Sequence, residues 1–274
     1  MQKTIRRILA VGVAAATALA LSACAGAAQT PEDVSLDTPL RVGALAVPAG
    51  EMLQFVQKNL AEEAGIQIEF VEFSDYNTPN PALSDGSIDA NLFQHQAFLD
   101  KYNSEAGDDL VSLGQIYLPA AAFHSKKHKS FDELPDGAVI SIPKDPSNEA
   151  RALELLASEG IIEIADGADN ISGITANPKN YEFQEVDNAT LARTLDDNDA
   201  AFVTSSYAIP AKLTSETILL AETEGSKYYN VLATRPELQD DPRIQKLHEL
   251  LLSPEMADYI NETWNGLILP GNKQ

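Results

Sequence analysis

The chain has 274 residues, 41 acidic against 19 basic, a formal net charge of -22, 44% hydrophobic residues and one cysteine. A field of that sign repels phosphate backbones and anionic lipid, which excludes nucleic acid as a partner. One cysteine allows no disulfide within the chain and no cysteine-built metal site, while apolar residues in periodic segments point to packed cores rather than disorder.

Residues 1–23 read as an export signal. Lys3, Arg6 and Arg7 supply a positive start, and "ILAVGVAAATALAL" is an apolar run too short to span a membrane comfortably. It ends in "LSAC", small residues that mark a signal-peptidase site, with Cys24 placed as the acylated first residue of a bacterial lipoprotein. Losing residues 1–23 removes three cations and no anion, leaving a formal charge of about -25. Residues 24–39 follow as an acylated N-terminus and a flexible tether of small and polar residues. The expected location is the extracytoplasmic face of the cell membrane, held by lipid; stable anchoring takes more than one acyl chain.

From residue 40 strands and helices alternate. "LRVGALAV" is a buried strand; Met52, Val56 and Leu60 then recur at helical spacing until Gly65 stops the helix. "IQIEFVEF" alternates as a strand does. "NPALSDGSIDANLF" gives a short helix, a turn at Asp85-Gly86 and a strand, and a helix covers about 95–105. Strands at "LVSLGQIYL" and "AVISIP" precede the helix "NEARALELLASEG". The strand "YEFQEV", the helix "ATLARTLDD", the strand "AAFVT", a helix near "YAIPAKL" and the strand "YYNVLATR" come next, and two amphipathic helices close the chain. This order predicts an α/β fold with largely parallel sheets, in two lobes with a ligand cleft between them. Lobe 1 takes 40–125 and 230–274, lobe 2 takes 126–229, and hinge crossings fall near 123–126 and 228–231.

Sequence patterns for common hydrolases and nucleotide-binding enzymes are missing. There is no G-x-S-x-G elbow, P-loop, H-E-x-x-H pair or G-x-G-x-x-G fingerprint. His124 and His128, four apart in "HSKKHKS", read as a solvated loop beside lysines, and His248 as a surface or boundary residue. No enzyme activity and no cofactor are expected. The informative charge is Arg151, in the first turn of the helix expected to start near Asn148. Orphan N–H groups and a guanidinium fork there suit a carboxylate, either a ligand's or that of a nearby acid such as Asp145 or Glu154. "FVEFSDYNTPN" ends a strand near Tyr76, where ligands commonly meet α/β sheets. Phe93, His95 and Phe98 follow the next strand; their spacing fits a core as well as a pocket wall. Asn230 offers both an amide donor and an acceptor.

"VEFSDYNTPN", "DANLFQH", "KSFDELPDGAVISIPKDPSNEARALELL" and "NPKN", in this order and with the lipobox, resemble the methionine-binding lipoproteins of ABC importers, the NlpA/MetQ-type family. The resemblance covers most of residues 40–265 and implies a periplasmic-binding-protein-like fold. By the resemblance, Arg151 takes an amino acid's carboxylate and Asn230 helps hold its ammonium and carboxylate. Tyr76, Phe93 and Phe98 cage the side chain, with His95 beside the thioether. The implied partners are L-methionine, an ABC permease and its ATPase. The chain departs from the family pattern at Thr204, where asparagine is usual, at Leu92 and Phe98, where tyrosine is common, and at Pro48-Ala49, where many members have proline-histidine. A methionine derivative, a methionine dipeptide or another apolar amino acid is therefore an alternative ligand. A metal-binding surface lipoprotein using His95, His124 or His128 is the other reading.

Overall fold

The computed structural model describes residue 36 and residues 38–223 and 225–271; the export signal, Cys24 and nearly all of the tether lie outside the described residues. The first half runs β1 (Leu40–Leu45), α1 (Glu51–Asn59), α2 (Ala61–Ala64), β2 (Ile68–Phe73), α3 (Pro79–Ser84), β3 (Ala90–His95), α4 (Gln96–Ala106) and β4 (Val111–Pro119). After Ala120 come β5 (Ala121–His124), β6 (Val139–Pro143), α5 (Pro146–Ser158), β7 (Glu163–Ile164), β8 (Ile174–Ala176), β9 (Glu182–Val186), α6 (Asn188–Thr194), β10 (Ala200–Thr204), α7 (Ser205–Ala208) and β11 (Ile218–Ala221). The chain closes with β12 (Asn230–Thr234), α8 (Pro242–Leu251), α9 (Pro254–Trp264) and β13 (Ile268–Pro270).

Two mixed sheets hold all of these strands but β7 and β8, which pair antiparallel with each other. The first has the order β13-β4-β12-β3-β1-β2 and the second β11-β5-β10-β6-β9. Each is built around three parallel strands, β2-β1-β3 and β9-β6-β10. The strands beside the crossings run antiparallel to their neighbours: β12 against β3 and β4, and β5 against β10 and β11. The sheets are therefore less parallel than the alternation of elements implied, because a chain that leaves one lobe and returns adds strands in the opposite sense. Each sheet has its own apolar core. Leu40, Val42, Met52, Leu53, Leu92, Leu232, Leu247 and Trp264 belong to the first core, and Phe123, Ile140, Ile142, Leu153, Leu156 and Phe202 to the second.

The outward crossing lies at Ala120, between β4 of one sheet and β5 of the other, and the return lies between Ala221 and Asn230. The lobe boundary placed at 125/126 is thus about five residues late. "AAFH" is a four-residue strand of the second sheet rather than part of a connection, and His124 is a buried strand residue rather than a loop residue. Its Nδ1 lies 2.9 Å from Thr217 Oγ1. The helix expected over 50–65 breaks at Leu60, whose φ of -124° is not helical, and resumes as α2 until Gly65 ends it at a φ of 70°.

Candidate functional site

The cleft is made at the carboxyl ends of the parallel strands of both sheets, where α/β folds place ligands. β2 ends at Phe73 and leads to Tyr76, β3 ends at His95, β6 ends at Pro143 before α5, and β10 ends at Thr204. Strand pairing adds the remaining residue: Asn230 sits opposite His95 on one side and Tyr117 on the other. One small cavity, with at most about 240 Å³ of space between atoms, is lined by Tyr76, Phe93, His95, Phe98, Arg151, Thr204 and Asn230, joined by Gln94, Pro119 and Asn148. All seven residues singled out from sequence therefore meet in one place. The other three were missed.

Three rings form one wall. Tyr76 lies 5.8 Å from Phe93 and 6.1 Å from Phe98, and Phe93 lies 5.7 Å from Phe98 in an edge arrangement. Such tilted contacts put positive ring edges against negative faces. Tyr207, from α7 of the other lobe, packs 5.1 Å from Tyr76. The Tyr76 hydroxyl and Thr204 Oγ1 are 3.0 Å apart and share a hydrogen bond between the lobes. The threonine hydroxyl is thus satisfied by a partner from the other lobe, whereas the neighbouring Tyr207 hydroxyl is buried without a hydrogen-bond partner among the described residues.

His95 precedes α4 and caps it, its Nδ1 accepting from Phe98 N at 3.2 Å. With Nδ1 an acceptor, Nε2 carries the proton and donates to Asn148 Oδ1, 3.2 Å away in the second lobe. Burial, reinforced by the Arg151 charge, lowers the His95 pKa to about 3, so the imidazole is neutral at physiological pH. Asn148 is fixed in turn by Asp145, whose carboxylate accepts from Asn148 N and Nδ2, both at 3.0 Å, and from Asn188 Nδ2 at 2.6 Å.

α5 begins at Pro146, with Asp145 as its cap, two residues before the expected start. Arg151 therefore stands in the second turn, beyond the orphan N–H groups, and its usefulness rests on its own guanidinium. Its side chain is only 1% exposed. Neither Asp145 nor Glu154 pairs with it. Nε and Nη2 donate to the Glu222 carboxylate at 2.7 and 2.5 Å, and Nη2 also donates to Pro119 O at 3.1 Å. The Tyr228 ring stacks 4.8 Å from the guanidinium carbon. Glu154 is taken by Lys227 and by the Tyr228 hydroxyl. Glu222 is 71 residues from Arg151 in sequence, and no spacing among 41 acidic residues singles it out.

Asn230 donates from Nδ2 to the Tyr117 hydroxyl at 2.9 Å, which leaves its Oδ1 as an acceptor. The arrangement thus offers a cation at one end, an amide acceptor beside it and an aromatic cage at the other. Among the described residues no group of three or more histidine, cysteine or acidic side chains could hold a metal ion. No helix among them is long and apolar enough to cross a membrane.

Comparison with known proteins gives consistent results. A family model described as NlpA lipoprotein matches residues 40–272. The D-methionine-binding lipoprotein MetQ of Salmonella typhi is 35% identical over 259 residues, covering 92% of this chain and 93% of that protein. A nutrient binding protein from Burkholderia cenocepacia, solved bound to methionine, is 38% identical with a TM-score of 0.82, covering 85% of this chain and 99% of the other. A periplasmic substrate-binding protein of an ABC transporter from Coxiella burnetii is 37% identical with a TM-score of 0.81, covering 85% of this chain and all of that one.

Proposed function

This chain belongs to the NlpA lipoprotein family, and on that premise we propose that it is a lipid-anchored receptor that binds methionine between its lobes and delivers it to an ABC permease and its ATPase. The observation that carries this reading is the single cavity in which a buried arginine faces a three-ring cage. The methionine carboxylate takes Arg151 Nη1, the guanidinium nitrogen that Glu222 and Pro119 do not use. The ammonium takes Asn230 Oδ1. The thioether lies among Tyr76, Phe93 and Phe98, where a sulfur–aromatic contact contributes about 0.3–1.5 kcal/mol, so the rings select shape while the polar end holds the zwitterion. Neutral His95 serves as wall and lobe contact, with no charge to offer a ligand and both ring nitrogens engaged by Phe98 N and Asn148 Oδ1.

The Salmonella relative's name specifies the D enantiomer, so both enantiomers belong in the test. Mass spectrometry of small molecules released by denaturing the purified protein should find methionine; another apolar amino acid in its place would overturn the choice of ligand and keep the receptor. Anchoring through Cys24 has its own test. Cys24→Ala should leave ligand binding intact and free the protein from membranes, and a variant that survives a carbonate wash in the membrane fraction would refute the lipid anchor.

A further inference from the structure

We propose that Glu222 sets which ligand charge the cleft accepts: by neutralising Arg151 from behind, it confines the site to zwitterions that bring their own ammonium. The inference rests on the amino-acid reading of the cleft and names a residue outside its lining. Glu222 is absent from the cavity wall, yet its carboxylate takes two of the guanidinium's N–H groups at 2.7 and 2.5 Å. The two side chains are 1% and 7% exposed, so water screens the pair little. Glu222 Oε2 also accepts from Ala121 N at 2.9 Å. Ala121 opens the strand after the outward crossing, and Glu222 begins the return. One carboxylate thus bolts the ligand-binding cation to both connections between the lobes.

The charge balance follows. Arg151 and Glu222 cancel, His95 is neutral, Glu154 is paired with Lys227, and Asp145 keeps its negative charge while accepting from the neutral amides of Asn148 and Asn188, so no positive charge among these groups is left over for an anion. A zwitterion adds no net charge, and its ammonium finds Asn230 Oδ1. A ligand with the same side chain and carboxylate but no amine would bury an uncompensated negative charge, which is costly in a closed cleft. Without Glu222 the unopposed guanidinium would welcome such an anion.

Calorimetry on the detergent-solubilised lipoprotein, with methionine and with 4-(methylthio)butanoate as its amine-free analogue, tests this. The wild type should bind the analogue about 30-fold or more weakly than methionine. Glu222→Gln, which keeps an acceptor for Ala121 N and loses the charge, should narrow that ratio about tenfold or more, chiefly by tightening the analogue. Glu222→Asp should keep the wild-type ratio even if both affinities fall. A purely structural role would weaken both ligands together, and an unchanged ratio in folded Glu222→Gln overturns the proposal. The wild type gives a second test independent of any variant's folding. The analogue should bind with uptake of a proton, seen as a dependence of the heat on buffer ionisation enthalpy, and methionine without one. Equal binding of the two ligands, or no proton uptake with the analogue, also overturns it. Failure of the wild type to bind methionine would instead refute the choice of ligand.

Discussion

Arg151 is the residue whose replacement separates ligand binding from folding most clearly, provided its partner is considered. Arg151→Ala should remove the proposed carboxylate clamp, an effect of about 2–5 kcal/mol or roughly 30-fold to several-thousand-fold in affinity. It also strands the Glu222 carboxylate in the interior, so stability should fall by about 3–5 kcal/mol. The double variant Arg151→Met, Glu222→Gln should recover most of the melting temperature and none of the binding, as read by thermal melts and calorimetry; a single variant that binds normally would make Arg151 a structural residue. His95 makes a prediction in pH. Its folded pKa of about 3 lies below the ordinary value of 6.5, so its neutral form stabilises the fold. That stability is complete above pH 6.5 and is lost as pH falls from there towards 3. His124, lowered to about 4 by burial, acts in the same direction. Melting temperatures from pH 7 to 4 should fall less steeply for His95→Gln, which keeps a donor for Asn148, than for the wild type; parallel curves would contradict the buried neutral imidazole. At this scale the sequence was readable where residue type is distinctive, an arginine in an amphipathic helix or aromatics clustered at the end of a strand. It was silent on Glu222, whose role comes from a contact made only when the chain folds back.

α5 illustrates what governs an element. Asp145 caps it and Pro146 occupies its first turn, both usual at helix starts, and its buried face is Arg151, Ala152, Leu153 and Leu156. Asp145→Ala should cost about 0.5–2 kcal/mol of stability, a fall of several degrees in melting temperature. It should also weaken methionine binding, because Asn148 loses the anchor that presents it to His95. Unchanged binding alongside a lowered melting temperature would mean that the Asn148–His95 contact does not matter to the closed cleft. From sequence the helix was placed two residues late because its apolar period starts after the cap. The strands "AAFH" and "ILLA" escaped notice for a related reason: four residues are too few to show a period. Their identity as strands comes from pairing with each other and with β10, which no local pattern records. The long amphipathic helices α8 and α9 carry enough turns to be read directly.

The whole molecule works as two sheets joined by two connections, and the polar contacts across its cleft are few. Tyr76 to Thr204 and His95 to Asn148 each join the lobes by one hydrogen bond, and the aromatic packing of Tyr76 on Tyr207 adds apolar contact. A ligand held as proposed, with its carboxylate on Arg151 of the second lobe and its ammonium on Asn230 of the first, would contribute to closure in proportion to its preference for the closed state. The two-lobed plan was legible from the alternation of elements. The crossing at Ala120 was displaced by a few residues because the apolar run "LPAAAF" continues from one strand into the next, with Pro119 the one breaker in it. The measurement that bears most directly on the account is a calorimetric competition on ligand-stripped, detergent-solubilised protein, with L- and D-methionine, norleucine, isoleucine, glutamate and glycyl-methionine. A methionine enantiomer should bind most tightly. Norleucine should follow, since it keeps the shape and loses the polarisable sulfur. Isoleucine and glutamate should bind far more weakly, one crowding the entrance and the other bringing an unpaired charge among the rings. Isoleucine or glutamate displacing methionine, or no binding by any member of the panel, would contradict the account.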